Sequence, residues 1–259
     1  MKTLKRGCRG EDVRYLQYRL GINADGSFGP KTEFAVKTFQ EYNRLDADGI
    51  VGPATRALIR LDDFHVHIFD LKKHALWCVG CPYGSPVYFT RTLKEWAGIE
   101  DADMAFNLAF FNTKGRGRDQ YGTIKGRTLT YVKAQGRDVG YGGTSEIIKL
   151  NDANAFAGYK LAIKDGKKQT VSRTGKRARN ATGLLNDGRF FIAQTVTTST
   201  EDAMVDYMLN NYQVDLMMFQ DGGGSVGMYD ARRGVLIAGE REGVNGRPVA
   251  TVICVKLKM

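Results

Sequence analysis

Leu216-Met-Met-Phe-Gln-Asp-Gly-Gly-Gly-Ser225 is the stretch on which the reading of this chain turns. It opens as a short apolar run, the pattern of a buried strand. The run ends at Gln220 and a single carboxylate, Asp221, with Gly222, Gly223, Gly224 and Ser225 behind it. Consecutive glycines give a strand nothing to pack and raise the entropy cost of ordering it, so the strand stops here. They let the backbone turn sharply and approach a ligand with its N–H groups aimed inward. Such a concave set of donors suits an oxyanion or a phosphate. Asp221 beside them has the chemistry of a base, a nucleophile or a metal ligand. A plain glycine turn after a strand is the alternative reading of the same letters.

Strand-like runs lie on both sides of this stretch. They fall at 65–70, 76–79, 87–90, 104–111, 128–132, 146–150, 161–164, 190–196, 235–238 and 250–257. Helical patterns are few. One covers 92–96. Another starts at Thr200, an N-cap residue followed by the acids Glu201 and Asp202, with Ala203, Tyr207 and Met208 among its apolar positions. Many strands with few helices predict an α+β domain built on a large mixed sheet.

Polar residues interrupt these apolar runs. Asn107 and Asn112 sit in or just after Ala105-Phe-Asn-Leu-Ala-Phe-Phe-Asn112. Buried amides need partners, which either a substrate sugar or a neighbouring loop supplies. Arg179 enters the run ahead of Leu184-Leu-Asn-Asp-Gly-Arg-Phe-Phe-Ile192, a hairpin with an Asn-Asp-Gly turn. Its planar fork matches a phosphate, and its plainer role is a solvated edge charge. Arg247 precedes the last strand in Arg247-Pro-Val249.

The first sixty or so residues have a different texture. Asp25-Gly-Ser-Phe-Gly-Pro-Lys-Thr32 recurs as Asp48-Gly-Ile-Val-Gly-Pro-Ala-Thr55. In each copy Asp-Gly makes a turn and Gly-Pro starts a helix, because proline at the first helical position loses no hydrogen bond. Pro30 then opens a helix carrying Phe34, Ala35, Val36 and Phe39, and Pro53 one carrying Ala57 and Leu58. An earlier helix over 12–20 places Val13, Leu16 and Leu20 on one face. Domain boundaries of 1–61 and 62–259 follow.

Composition narrows the partners. The 259 residues carry a formal charge of +10, which favours acidic surfaces. No aromatic RNA-binding signature or helix-turn-helix accompanies that charge, so nucleic acid is not expected. No apolar run approaches membrane-spanning length, and no membrane partner is expected. Cys78-Val-Gly-Cys81 lies near His65, His67 and His74, but the spacing fits no usual zinc pattern. These residues read instead as a hairpin, Phe64–Leu71 with Ala75–Val79. The N-terminus shows no secretory signal. The expectation is a monomer made in the cytoplasm.

The repeat, with Gly10-Glu-Asp-Val-Arg-Tyr-Leu-Gln17 and Ala35-Val-Lys-Thr-Phe-Gln40, resembles the bacterial three-helix peptidoglycan-binding module over Leu4 to Arg60. That resemblance implies a shallow groove for wall glycan or stem peptide, and Asp25, Phe28, Gln40 and Asp48 are its candidate lining. Turn capping and core filling are the competing roles for each of the four.

The larger domain resembles the phosphodiester glycosidase family. Family motifs Asn-Gly-Gly-Phe-Phe, Arg-Thr-Ala-x-Gly, Asp-Gly-Gly-Gly-Ser and Arg-Pro-Val fall on Asn107–Phe111, Arg179–Gly183, Asp221–Ser225 and Arg247–Val249. Leu108 and Ala109 replace glycines, and Gly246 stands where an acid often precedes Arg-Pro-Val. The resemblance implies hydrolysis of a sugar-1-phosphodiester or related glycosidic bond. Asp221, Arg179, Arg247 and Asn107 are then the candidate catalytic residues. Gly222, Gly223, Gly224, Ser225 and Asn112 are the candidate substrate contacts. Glu240 ranks first for a second carboxylate, ahead of Glu146 and Glu242. No cofactor is required, a divalent metal on Asp221 is an open alternative, and its ligands are unknown. Together the domains predict a phage-lysin-like wall hydrolase acting on peptidoglycan or an anionic wall glycan after release. A non-catalytic wall- or sugar-attachment protein is the alternative.

Overall fold

The computed structural model describes residues 3–59, 64–81, 90–109, 130–171, 175–195, 198–238 and 248–257. The chain divides into two compact units, Met1–His65 and Val66–Met259.

The first unit contains α1 (Glu11–Arg19), α2 (Pro30–Tyr42) and α3 (Pro53–Ile59). Pro30 and Pro53 stand at the helix starts, as the repeat predicts. Leu4, Val13, Leu16, Phe28, Val36, Val51 and Ile59 fill the core. Phe34 is 73 % exposed, because the helix turns Thr32, Val36 and Gln40 inward at four-residue spacing. Leu58 of α3 is exposed in the same way.

The second unit begins within β1 (Phe64–Phe69) and continues through β2 (His74–Gly80) and α4 (Leu93–Ile99) to β3 (Met104–Asn107). Next come β4 (Val132–Ala134), β5 (Arg137–Gly140), β6 (Ile148–Asn151), β7 (Asn154–Phe156), β8 (Lys160–Lys164) and β9 (Lys167–Lys168). After β10 (Asn180–Leu185) and β11 (Phe190–Thr195) come α5 (Glu201–Asn211) and β12 (Val214–Phe219). A 3-10 turn at Gly223–Ser225 then leads into β13 (Gly227–Asp230), β14 (Val235–Ala238) and β15 (Thr251–Leu257).

These strands form three sheets, ordered β1-β11-β10-β12-β8-β9, β14-β13-β3-β15-β2 and β5-β4-β7-β6. The architecture is α+β, but the strands are shared among several sheets. Neighbours such as β10–β11, β10–β12 and β3–β15 pair antiparallel. Tight turns connect several neighbours, such as Asn186-Asp187-Gly188 between β10 and β11, and parallel pairing would need long crossovers. The expected hairpin of β1 and β2 is replaced by a handover: β1 joins the first sheet and β2 the second.

Aromatic rings from several sheets meet in the core. Phe69 packs against Phe106 and Phe190, and Phe190 against Phe156. Helix α4 lies on the second sheet through Leu93, Trp96 and Ala97, with Trp96 donating Nε1–H to the Val249 carbonyl at 3.0 Å. A capping box between Thr92 and Glu95 closes its N-terminus, and Thr200 caps α5 as the sequence predicts. Gly183 shows why one family glycine is needed. A Cβ there would lie 2.1 Å from the Leu216 carbonyl oxygen and 2.4 Å from the Phe191 ring. Among the described residues no helix is long and apolar enough to cross a membrane.

Candidate active site

Strand β12 delivers Asp221 to the point where the first and second sheets face each other, and backbone bonds fix it there. Gln220 donates its N–H to the Asn180 carbonyl at 2.8 Å, and Asp221 to the Leu108 carbonyl at 3.1 Å. Gly223 donates to the Ala178 carbonyl at 2.8 Å. Leu108 in turn donates to the Thr251 carbonyl at 3.1 Å. Described parts of three motifs thus meet, Asn107–Ala109, Arg179–Gly183 and Asp221–Ser225; Thr251, just past the fourth, bonds to Leu108, whereas Val249 itself pairs with Arg91. The turn needs glycine for two separate reasons. Gly223 has φ 60, in the left-handed region, and a Cβ on Gly222 would lie 2.9 Å from the Ala178 oxygen.

Asn107 lies under this turn, fully buried. Its Nδ2 donates to the Asp221 carbonyl at 2.9 Å, while its Oδ1 accepts from the Gly227 N–H at 3.0 Å and from Gln194 Nε2 at 3.1 Å. Asn180 Nδ2 donates to the Asn107 carbonyl at 2.9 Å. Gln220 Nε2 reaches Thr182 Oγ1 at 2.8 Å, and its buried Oε1 has no hydrogen-bond partner among the described residues. Protein groups therefore satisfy the Asn107 amide, which holds the turn from below. The glycine amides divide in function as well. That of Gly223 is spent on Ala178, so any oxygen-binding donors of the triplet are those of Gly222 and Gly224.

Asp221 is 7 % exposed. Ala181 and Lys160 flank Phe219, the last residue of β12. Arg179 stands just ahead of β10, Lys160 at the start of β8 and Asp221 two residues past β12, so all three lie at one end of the first sheet. The Arg179 fork points into the protein. Nε donates to the Ser199 carbonyl at 3.0 Å, Nη2 to the Gly175 carbonyl, and Nη1 reaches Glu201 Oε1 at 3.5 Å. Glu201 is 0 % exposed and also accepts from Tyr159 Oη at 2.6 Å and Lys160 Nζ at 2.8 Å. Burial pushes the Glu201 carboxyl up. The hydrogen bonds from Lys160 and Tyr159 and the charges of Lys160 and Arg179 outweigh it and hold the group below its ordinary 4.5.

Other predicted residues fall elsewhere. Ser225 is buried behind the turn, as are Leu108 and Ala109, which fill space where the family has glycine. Glu146 pairs with Lys164 at 2.8 Å, both partly exposed. Arg247, Glu240, Glu242 and Asn112 lie outside the described residues. Among the described residues no group of three or more His, Cys, Asp or Glu could hold a metal ion. Cys78, Cys81 and Cys254 are buried and reduced, and burial pushes the Cys78 thiol up, away from thiolate chemistry. His67 stacks on Phe69 and meets Phe106 edge-on, and His74 Nδ1 lies 3.1 Å from the Asp70 carbonyl oxygen.

Asn180, Gln194, Gln220, Tyr159, Lys160 and Glu201 are absent from the sequence-derived set. Gln194 and Gln220 had a signal, being amides inside or at the end of apolar runs. Glu201 reads in sequence only as a first-turn helix acid.

In the first unit the two repeats build one device twice. Gln17 Nε2 donates to Asp25 Oδ1 at 2.8 Å, the Ser27 carbonyl at 3.0 Å and Thr32 Oγ1 at 2.9 Å, and its Oε1 accepts from Gly26 N–H at 2.8 Å. Gln40 does the same with Asp48 at 2.8 Å, Ile50 at 3.0 Å, Thr55 at 3.1 Å and Gly49 at 2.9 Å. Gln40 is therefore a buried clamp, and Phe28, 1 % exposed, is core. Asp25 and Asp48 are exposed, each with Oδ1 engaged. Asp25 lines a groove of about 570 Å³ together with Asn23, Ser27 and Lys31.

These features define a protein with a helical-repeat module and a separate antiparallel-sheet domain carrying an Asp-Gly-Gly-Gly turn between two sheets. The chain belongs to the phosphodiester glycosidase family, which matches residues 106–256, more than half of its 259 residues. Residues 9–59 match a peptidoglycan binding domain. Curated relatives are similar over a short span. The zinc D-Ala-D-Ala carboxypeptidase of Streptomyces albus G is 48 % identical over 61 residues, covering 20 % of this chain and 24 % of that protein. A spore cortex-lytic enzyme of Bacillus cereus is 39 % identical over 64 residues, covering 22 % and 25 %. The matches thus span about a quarter of the length of these relatives. Among solved structures, the zebrafish N-acetylglucosamine-1-phosphodiester alpha-N-acetylglucosaminidase catalytic domain, auto-inhibited by its pro-peptide, superposes with a TM-score of 0.51 at 14 % identity. It covers 75 % of this chain and 83 % of that one. A hypothetical protein from Synechocystis gives a TM-score of 0.50 at 9 % identity, covering 75 % and 59 %. Both speak for the fold.

Proposed function

We propose that the chain is a wall-directed hydrolase. The first unit docks on peptidoglycan, and the second cleaves a glycosidic or sugar-1-phosphodiester bond in peptidoglycan or an attached wall polymer. The observation that carries this reading is the way Asp221 is held. Its backbone is fixed by Asn107 and Leu108 on a glycine turn at a sheet end, which presents a carboxylate in a set direction.

A phosphate leaving group is already a weak base and needs little protonation. Asp221 acts as base, nucleophile or stabiliser of the cationic sugar, and the Gly222 and Gly224 amides bind oxygen. Arg247 neutralises the leaving group, and Glu240 is the partner carboxylate. Docking on the wall raises the local concentration of enzyme at its substrate. The charge of +10 favours the same anionic surface. In this reading the chain is made in the cytoplasm and acts at the wall after release, as phage lysins do.

Buried Leu108 and Ala109, in place of open glycines, favour a second reading in which the larger unit grips a sugar without turnover. Digestion of purified walls separates the two, with mass spectrometry of the soluble products. The hydrolase releases reducing sugar or phosphate, and Asp221→Ala abolishes release while sedimentation with walls persists. Binding without any release establishes the attachment protein. Repeating the digestion with EDTA decides whether Asp221 works as a metal ligand.

A further inference from the structure

We propose that Glu201 is a positioning residue of the Asp221 site, acting through Arg179 on one side and through Tyr159 and Lys160 on the other. The inference rests on the hydrolase reading. Strand order in the first sheet is β10-β12-β8, so β12 runs between the two strands that these partners begin. Arg179 immediately precedes β10, and Lys160 is the first residue of β8. Glu201 accepts from both sides and therefore spans the end of β12 where it hands over to Asp221. Backbone bonds carry that restraint inward. Tyr159 N–H donates to the Phe219 carbonyl at 3.0 Å, and Asn180 and Ala178 accept from Gln220 and Gly223.

Helix electrostatics do not account for this burial. The first turn of α5 holds two acids. Asp202 faces outward to Lys168 at 3.0 Å, and that suffices for the helix dipole. Glu201 faces inward, where an ionised carboxylate is costly unless well-placed cations and donors compensate it. Arg179, with three guanidinium nitrogens turned to Ser199, Gly175 and Glu201, serves the site through the Ala178–Asn180 backbone. Direct contact with a substrate phosphate would need that fork facing the other way.

The test is steady-state kinetics of the full chain on a synthetic N-acetylglucosamine 1-phosphodiester, or on purified walls if only walls are turned over. Glu201→Gln, Arg179→Met and the double variant are compared. Each single change is expected to lower kcat by about tenfold or more with KM within about twofold, because small displacements of a reacting group are costly in rate. The double variant is expected to be no worse than the worse single one, as for two residues acting as a unit. A raised KM in Arg179→Met with wild-type kinetics in Glu201→Gln overturns the proposal and places Arg179 on the substrate. Thermal melts check folding. If Glu201→Gln does not fold, Tyr159→Phe, which removes only the hydroxyl donor, is read instead. A fall in its kcat supports the proposal, and unchanged kinetics overturn it. A wild-type chain that turns over neither substrate overturns the hydrolase reading and this inference together, whereas an active wild type with unaffected variants overturns the inference alone.

Discussion

Both units hold Asp-Gly turns with buried side-chain amides, but the amide grips a different part of the aspartate in each. In the helical module Gln17 and Gln40 bind the carboxylates of Asp25 and Asp48, and those carboxylates close their own turns through Ser27 and Ile50. In the larger unit Asn107 binds the main-chain carbonyl of Asp221. The first arrangement commits the acid to architecture. The second fixes the main chain on which the acid stands, and it is the proposed hydrolase reading that gives chemistry to its side chain. A dipeptide that looks the same in sequence therefore has two uses, and the acceptor chosen by the nearest amide tells them apart.

The same substitution at both kinds of turn is the strongest way to break this comparison. Asp221→Asn is expected to cut turnover about 10³-fold, the scale of losing an acid–base or nucleophilic group. Asp25→Asn keeps an acceptor oxygen, and should leave turnover of a soluble diester unchanged while costing the module about 1 kcal/mol. Equal effects on activity would remove the distinction. Next in size is the clamp itself. Asn107→Leu strands the Asp221 carbonyl and the Gly227 N–H in the core, so denaturant melts should show a loss of about 3 kcal/mol together with activity. Gln40→Ala should destabilise the helical module by about 2 kcal/mol and weaken wall sedimentation while sparing turnover of the soluble diester.

How much of this was legible in the sequence follows from the length scale of each signal. The repeat was legible because its turn and helix-start chemistry lies within eight residues, Asp25 to Thr32 and Asp48 to Thr55. Asp221 and its glycines were legible for the same reason. The Asn107 clamp was not, since Asn107 meets Asp221 across more than a hundred residues, and Gln17, eight residues before Asp25, lies outside the repeated stretch. Glu201 was hidden differently: it satisfies a local rule as a first-turn acid, and only the sheet order shows what it faces.

The smallest expected effect concerns acid. The Ser27 N–H bond and the Gln17 amide hold the Asp25 carboxyl below its ordinary 3.8, and Ile50 N–H with Gln40 does the same for Asp48. A carboxyl depressed on folding contributes stability that is present above its unfolded value and lost as pH falls through the folded one. Melts of the module should therefore be flat above about pH 4 and decline below it. Replacing both aspartates by asparagine should flatten that decline.

The paired glutamine clamps have a consequence for how this module changes over generations. Each clamp closes its own turn without a bond to the other clamp, although the two halves share α2 and one core. One half can drift in its outward residues, as Ser27 and Lys31 have diverged from Ile50 and Ala54, while the other preserves the architecture. Duplication of this kind provides a spare surface on which new specificity for cell envelopes can be tried without risking collapse.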